Sequence, residues 1–112
     1  MKKIVAVTSC PTGIAHTYMA SESLEEAGKK MGVKIKVETQ GSVGVENELS
    51  EEDIKEADAV IIAADTNVSH ERFGGKAIVE VAVADAIDDA ESLINQALEK
   101  AKKGEKTEVK AN

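Results

Sequence analysis

Aromatic side chains are almost missing from this chain. Of its 112 residues only Tyr18 and Phe73 are aromatic, and there is no Trp. A core must then be built from Val, Ile, Leu and Ala, as suits a parallel sheet covered by helices. The same scarcity removes the stacking platform that single-stranded nucleic acid needs. Positive charge is also short: the net charge is −7, and Arg72 is the one arginine among 14 Lys and Arg residues. Without a basic patch, no nucleic-acid partner is expected. Cys10 is the one cysteine, so an internal disulfide is excluded and a reducing compartment is expected. No apolar run approaches the ~20 residues of a membrane span, and no signal-peptide pattern opens the chain. The expectation is a cytoplasmic domain without direct membrane insertion.

What is present is an orderly alternation of elements. Residues 4–7 form an apolar run read as a buried strand. A helical pattern from about 13 to 31 carries Ala20, Leu24, Ala27 and Met31 on one face, with Gly32 as its stop. Val33, Ile35 and Val37 alternate with Lys34, Lys36 and Glu38, which predicts a half-exposed edge strand. Residues 38–44 read as a polar, glycine-punctuated loop. Ser50 and Asp53 resemble a capping box that opens a brief helix to about Ala57. Residues 59–64 are the second wholly apolar run, followed by Asp65. Ser69 is placed to cap a helical turn holding His70, Glu71, Arg72 and Phe73, with His70 read as an exposed polar residue. Residues 77–83 predict a fourth strand, and the stripe from Ala86 through Ala101 one continuous final helix. Residues 1–104 are read as one domain and 105–112 as a polar tail or linker.

Strands alternating with helices predict an α/β fold: a Rossmann-like, three-layer α/β/α arrangement around a four-stranded parallel sheet. The two doubly apolar strands belong at its centre, giving the order 2-1-3-4. The winding direction then reverses beside the first strand, where ligands of such sheets bind at the strands' carboxyl ends. Cys10 falls at that point.

Free cysteines are usually buried small hydrophobes. Cys10, however, follows an apolar strand, precedes Pro11, and is followed at once by a helix start. Proline holds Cys10 extended and supplies no N–H. The free N–H groups of the helix then favour a thiolate or a phosphoryl group on it. Thr12 and Thr17 add hydroxyls, and Gly13 lets backbone approach a ligand closely. His16 is either a solvated helix residue or a cation near the thiol.

Known site patterns narrow the chemistry. No Walker loop is present, one cysteine with two distant histidines does not make a zinc site, and there is no C-x-x-C pair. No metal or cofactor is expected. The nearest competitor is the cysteine phosphatase loop, with Cys, five residues, Arg and Ser or Thr. Here the spacing gives Cys10, five residues, His16 and Thr17, without the bidentate arginine clamp. Such a loop suits holding and passing on a phosphoryl group better than hydrolysing it. A low-molecular-weight phosphatase or arsenate-reductase-like enzyme, and a non-catalytic regulatory module, stand as alternatives.

Several residues border this site in the expected topology. Asp65 ends the neighbouring strand, where it orients a loop donor, discourages unproductive anion binding by its charge, or is simply a polar loop residue. Gln40 and Gly41 lie at the end of the edge strand and are candidates for a docking surface. Arg72 and Phe73 have two readings: an exposed partner contact, or, for Phe73, a cover on the core.

The run Cys10-Pro11-Thr12-Gly13-Ile14-Ala15-His16-Thr17, the segment Glu38-Thr39-Gln40-Gly41, and Ala63-Ala64-Asp65 followed by Arg72-Phe73 together resemble the fructose-type EIIB component of the bacterial sugar phosphotransferase system (PTS). The resemblance implies that Cys10 takes a phosphoryl group from a phosphohistidine of EIIA, forming a phosphocysteine. The membrane-embedded EIIC component, with its bound sugar, would be the acceptor. It further implies that backbone N–H groups from Thr12 through Gly13, Ile14, Ala15 and His16 to Thr17, with the two threonine hydroxyls, hold the phosphoryl oxygens. The domain would then work at the inner face of the cell membrane.

Overall fold

The computed structural model describes residues 2–10, 14–41 and 44–102. Strand β1 (Lys3–Ser9) runs into helix α1 (Ile14–Met31), followed by β2 (Lys34–Gly41) and β3 (Gly44–Glu46). Helix α2 (Glu51–Glu56), strand β4 (Ala59–Ala64) and a 3-10 turn (Glu71–Phe73) come next. The chain continues through β5 (Ala77–Val81), α3 (Val83–Asp88) and α4 (Ala90–Lys102). The predicted domain boundary at residue 104 and the tail of residues 105–112 lie outside the described residues.

The sheet has five strands in the order β3-β2-β1-β4-β5. Its four long members are parallel and follow the expected order, while β3 pairs antiparallel with β2. The sequence reading of a purely parallel four-stranded sheet is therefore corrected by one short strand. All three β3 residues are exposed, so no alternation of apolar residues announces it. Asn47, at φ 56°, turns the chain out of β3 and donates to the Val37 carbonyl at 3.0 Å. Strand β2 is no longer an edge, and it runs to Gly41 rather than stopping at Val37.

Alternation along the strands divides the core. Ile4 and Ala6 of β1, Val37 of β2, and Ala59, Ile61 and Ala63 of β4 join Ala20, Leu24, Ala86, Leu93, Ile94 and Ala97 of the helices. Val5 and Val7, with Val60, Ile62 and Ile78, join Leu49, Ile54 and Phe73 in a second cluster. Helices α1, α3 and α4 thus cover one face, and α2 with the 3-10 turn covers the other. That is the expected three-layer arrangement.

Local chemistry sets the element ends. Gly32, at φ 73°, follows α1 in the left-handed conformation, and the Val33 N–H returns to the Gly28 carbonyl at 2.8 Å. That pattern ends a helix and is most easily reached by glycine. Gly28 has a different reason: a Cβ there would stand 2.9 Å from the Val33 carbonyl oxygen and 2.8 Å from Ile35 Cδ1. Ser50 and Asp53 form the predicted capping box of α2, the Ser50 hydroxyl accepting from the Asp53 N–H and the Asp53 carboxylate from the Ser50 N–H. The Ser69 hydroxyl accepts from the Glu71 N–H as the 3-10 turn begins.

The final helical stripe is broken. Asp89, at φ −145° and ψ 43°, leaves helical geometry and separates α3 from α4, and the fourth long strand ends at Val81 instead of Val83. The apolar stripe continues across the break through Ala86 and Ala90, both buried, so its period conceals the interruption. Lys100 of α4 reaches the sheet, its ammonium donating to the Ile78 carbonyl of β5 at 2.9 Å.

Candidate functional site

Three strand ends meet beside Cys10. Ser9 is level with Gln40 of β2 on one side and with Ala64 of β4 on the other. One step further, the Cys10 N–H donates to the Gln40 carbonyl at 3.4 Å, and the Asp65 N–H donates to the Ser9 carbonyl at 2.9 Å. Cys10 is 3% exposed and belongs to the core beneath α1. The thiol therefore sits at the reversal of winding that the sheet order predicts.

Helix α1 begins four positions later, at Ile14. A helix start leaves its first N–H groups without intrahelical carbonyls, and no acidic residue stands in the first turn of α1. Lys29 and Lys30 occupy the other end, so the 18-residue helix presents an N-terminus suited to an anion. Thr17 is buried at 1% exposure. The Thr8 hydroxyl donates to the Thr17 carbonyl at 3.3 Å, which fastens the start of α1 to the end of β1. A Cβ on Gly41 would lie 3.8 Å from the Thr17 hydroxyl oxygen, so the end of β2 borders the same place.

The remaining candidates divide. Ala15 and His16 lie exposed near the start of α1. Thr12 and Gly13, and the side chain of Ile14, lie outside the described residues. Asp65 is exposed, and its Oδ1 accepts the Val83 N–H at 3.2 Å, tying the end of β4 to the start of α3. Phe73 is fully buried in the core against Val7 and Ile62, so of its two readings the core cover is the one found, and it offers no docking contact. His70 is half-buried, its Nε2 3.2 Å from Glu80 Oε1, rather than a free polar residue.

Arg72 leads to the residue that sequence reasoning missed. Glu38, expected at the start of a loop, is 2% exposed inside β2. The Arg72 guanidinium donates to both of its oxygens, Nη1 to Oε1 at 3.0 Å and Nη2 to Oε2 at 2.9 Å. Oε1 also accepts the Leu49 N–H at 2.9 Å, and Oε2 accepts Nε2 of Gln40 at 2.7 Å. Burial alone would raise this carboxyl, but Arg72, the Leu49 N–H and the Gln40 amide outweigh it and hold it below its ordinary value. Arg72 is correspondingly raised, chiefly by its hydrogen bonds to Glu38, and its guanidinium carbon stands 5.1 Å from the Phe73 ring centre. The available signal was the solitary arginine itself, a side chain suited to places where a carboxylate must be gripped by two parallel bonds.

Among the described residues no group of three or more His, Cys, Asp or Glu side chains is placed to hold a metal ion. No helix among them is long and apolar enough to cross a membrane.

Comparison with known proteins gives a consistent picture. The family described as the lactose/cellobiose-specific IIB subunit of the PTS system matches residues 5–96. The "PTS system fructose-like EIIB component 2" of Escherichia coli K12 is 53% identical over 97 residues, covering 86% of this chain and 92% of that protein. The "PTS system fructose-specific EIIB'BC component" of Xanthomonas campestris is 55% identical over 100 residues. That alignment covers 89% of this chain but only 17% of that much longer protein. Among solved structures, a domain of the fructose-specific IIABC component of Borrelia burgdorferi superposes with a TM-score of 0.85 at 48% identity, covering 88% of this chain and 94% of that domain.

Proposed function

The chain belongs to the IIB family of the sugar phosphotransferase system, and from that premise we propose that Cys10 carries a phosphoryl group between two partner components. The Cys10 thiolate attacks the phosphorus of a phosphohistidine on EIIA. The S–P bond forms as the P–N bond breaks, and the imidazole nitrogen leaves with the bonding pair and takes up a proton. A hydroxyl of the sugar held by EIIC then attacks the same phosphorus. The S–P bond breaks, the hydroxyl proton passes to solvent or a base, and the thiolate is restored.

The observation that carries this reading is the placement of Cys10 at the end of β1, flanked by the ends of β2 and β4, with α1 starting four residues on. Phosphoryl transfer asks a protein mainly for positioning and for donors directed at the phosphoryl oxygens. The first turn of α1, together with Thr12, Gly13, Ile14, Ala15, His16 and the Thr17 hydroxyl, would supply them. His16 stands where a hydrolase would need arginine and offers no bidentate grip. A carrier so built holds the group without committing it to water.

Fructose is the sugar we favour. The family model is described by lactose and cellobiose, but the relatives near 50% identity carry fructose in their names. A Bacillus subtilis relative is named a fructose-specific EIIABC component, and this chain aligns with 15% of it. That relative supports EIIA as donor and EIIC as acceptor, with this domain acting at the membrane's inner face while bound to EIIC. The test is incubation with phosphoenolpyruvate, the general PTS proteins and a matching EIIA. Stoichiometric label on Cys10, lost in Cys10→Ser, is expected. Label on a histidine, or none with an EIIA proven on its own EIIB, would overturn the proposal.

A further inference from the structure

The carboxylate of Glu38 is saturated. Its two oxygens accept four hydrogen bonds, from both Arg72 nitrogens, the Leu49 N–H and the Gln40 amide, at 2.7–3.0 Å. This joins the carboxyl end of β2, the chain leaving β3 and the 3-10 turn that carries Arg72. Among the described residues, Gln40 is the one of these partners with a hydrogen bond to Cys10. Its side chain is held by Glu38 while its carbonyl accepts the Cys10 N–H at 3.4 Å. Gly41, next in the chain, borders the Thr17 hydroxyl.

Stability alone is a weak reason for this arrangement. A buried ion pair is often matched or bettered by apolar side chains of similar size, and apolar neighbours are at hand in Val7, Leu49 and Phe73. A second ion pair lies two residues back on the same face of β2, Lys36 with Asp53 at 2.6 Å, but both of its side chains are about a third exposed and it stands away from Cys10. The pair whose carboxylate is buried, Glu38 at 2% against 30% for Asp53, is the one placed at the strand end that meets the thiol.

We propose that Glu38 and Arg72 are positioning residues for phosphoryl transfer, acting through Gln40, whose side chain they fix and whose carbonyl sets the Cys10 backbone. This rests on the reading of Cys10 as the phosphoryl carrier. None of the three side chains need touch the phosphoryl group. At 3.4 Å the Cys10–Gln40 hydrogen bond is at the long end for N–H···O, and a misplacement of about 1 Å can cost about 100-fold in rate.

The decisive variant is Gln40→Ala, which cuts the tether yet leaves Glu38 with three of its four hydrogen bonds. With saturating phosphorylated EIIA, the single-turnover rate of labelling Cys10 should fall about tenfold. The half-saturating donor concentration should stay within about twofold, because a lost docking contact would raise it instead. Arg72→Lys, retaining charge and one bond, should be slowed less than Arg72→Ala. Ile54→Val, which loosens the core on the same face of the sheet, should leave the rate unchanged. A second readout needs no donor: the Cys10 amide should exchange its hydrogen about tenfold faster in Gln40→Ala. A wild-type transfer rate, a loss confined to half-saturation, an equal loss in Ile54→Val, or unchanged Cys10 amide exchange would each overturn the proposal. If the wild-type chain takes no label, the carrier reading fails by itself, and the exchange measurement still decides whether the tether exists.

Discussion

Replacing Arg72 by alanine should reveal how much the fold depends on its buried carboxylate. Removing one partner of a buried ion pair typically costs about 3–5 kcal/mol, because the other charge is left without compensation. Two features of this structure lower the figure. Arg72 is 35% exposed along its side chain, so water screens that half of the pair. Glu38 would also keep its bonds from Leu49 and Gln40. Loss of the guanidinium from above Phe73 adds back a few tenths to ~1 kcal/mol. Together these give about 2–3 kcal/mol at neutral pH, or a fall of roughly 10 °C in Tm for a chain of this size.

The pH dependence makes that prediction specific. In the wild type the Glu38 carboxyl is held below its ordinary value. Its ionised form thus favours the folded state above the ordinary carboxylate range, and the contribution fades as pH falls through the folded value. Without Arg72, burial, already the largest single influence on the carboxyl, is opposed by the Leu49 N–H and the Gln40 amide alone, and the carboxyl should rise. The variant then pays its largest penalty at neutral pH and recovers part of it as acid protonates Glu38. Urea titrations of both proteins at pH 7 and near pH 4.5 should show the stability gap narrowing on the acid side. A gap that stays constant between the two pH values, or one below about 1 kcal/mol at pH 7, would refute the reasoning.

Other measurements address separate parts of the fold. Gly28→Ala should destabilise by about 1–3 kcal/mol in urea, because the new methyl meets the Val33 carbonyl oxygen and not only a flexible side chain; a neutral or stabilising outcome would show that α1 can move off β2. Ser50→Ala removes the acceptor for the Asp53 N–H and should cost about 1 kcal/mol, read from the same titration. The Asp53 carboxyl, hydrogen-bonded by Lys36 and by the Ser50 N–H and hydroxyl, is lowered to about 2. It favours the folded state above its ordinary value and loses that effect as pH falls toward about 2; a carbon-detected NMR titration with Lys36→Met should raise its midpoint.

The sequence exposes the parts of this fold that rest on apolar pattern and local chemistry. Residues 4–7 and 59–64 are apolar on both faces, which leaves them only a central place in the sheet, and the order of the four parallel strands follows. Cys10, at the end of the first run, is placed beside the ends of β2 and β4 for the same reason, which makes it the candidate for the site. What the pattern hides depends on partners distant along the chain. Glu38 reads as the first polar residue of a loop because its burial depends on Arg72, 34 positions later. Strand β3 has no buried residue to announce it. The break at Asp89 lies inside one continuous apolar stripe, where backbone geometry changes but the buried face does not. Phe73 carries no local sign of which way it faces; only the packing of the 3-10 turn against the sheet decides it.

The ammonium of Lys100, resting on the carbonyl of Ile78, bears on how copies of this domain tolerate one another. Strand β5 is an outermost strand, and an open row of backbone groups there would invite another chain to add itself to the sheet. Lys100 occupies one of those acceptors and brings a positive charge to the rim. At the opposite rim β3 is only three residues long, too short to template a durable pairing. Both rims are thus poor seeds for sheet extension. That property suits a domain whose counterpart in the Xanthomonas protein is one segment of a much longer chain.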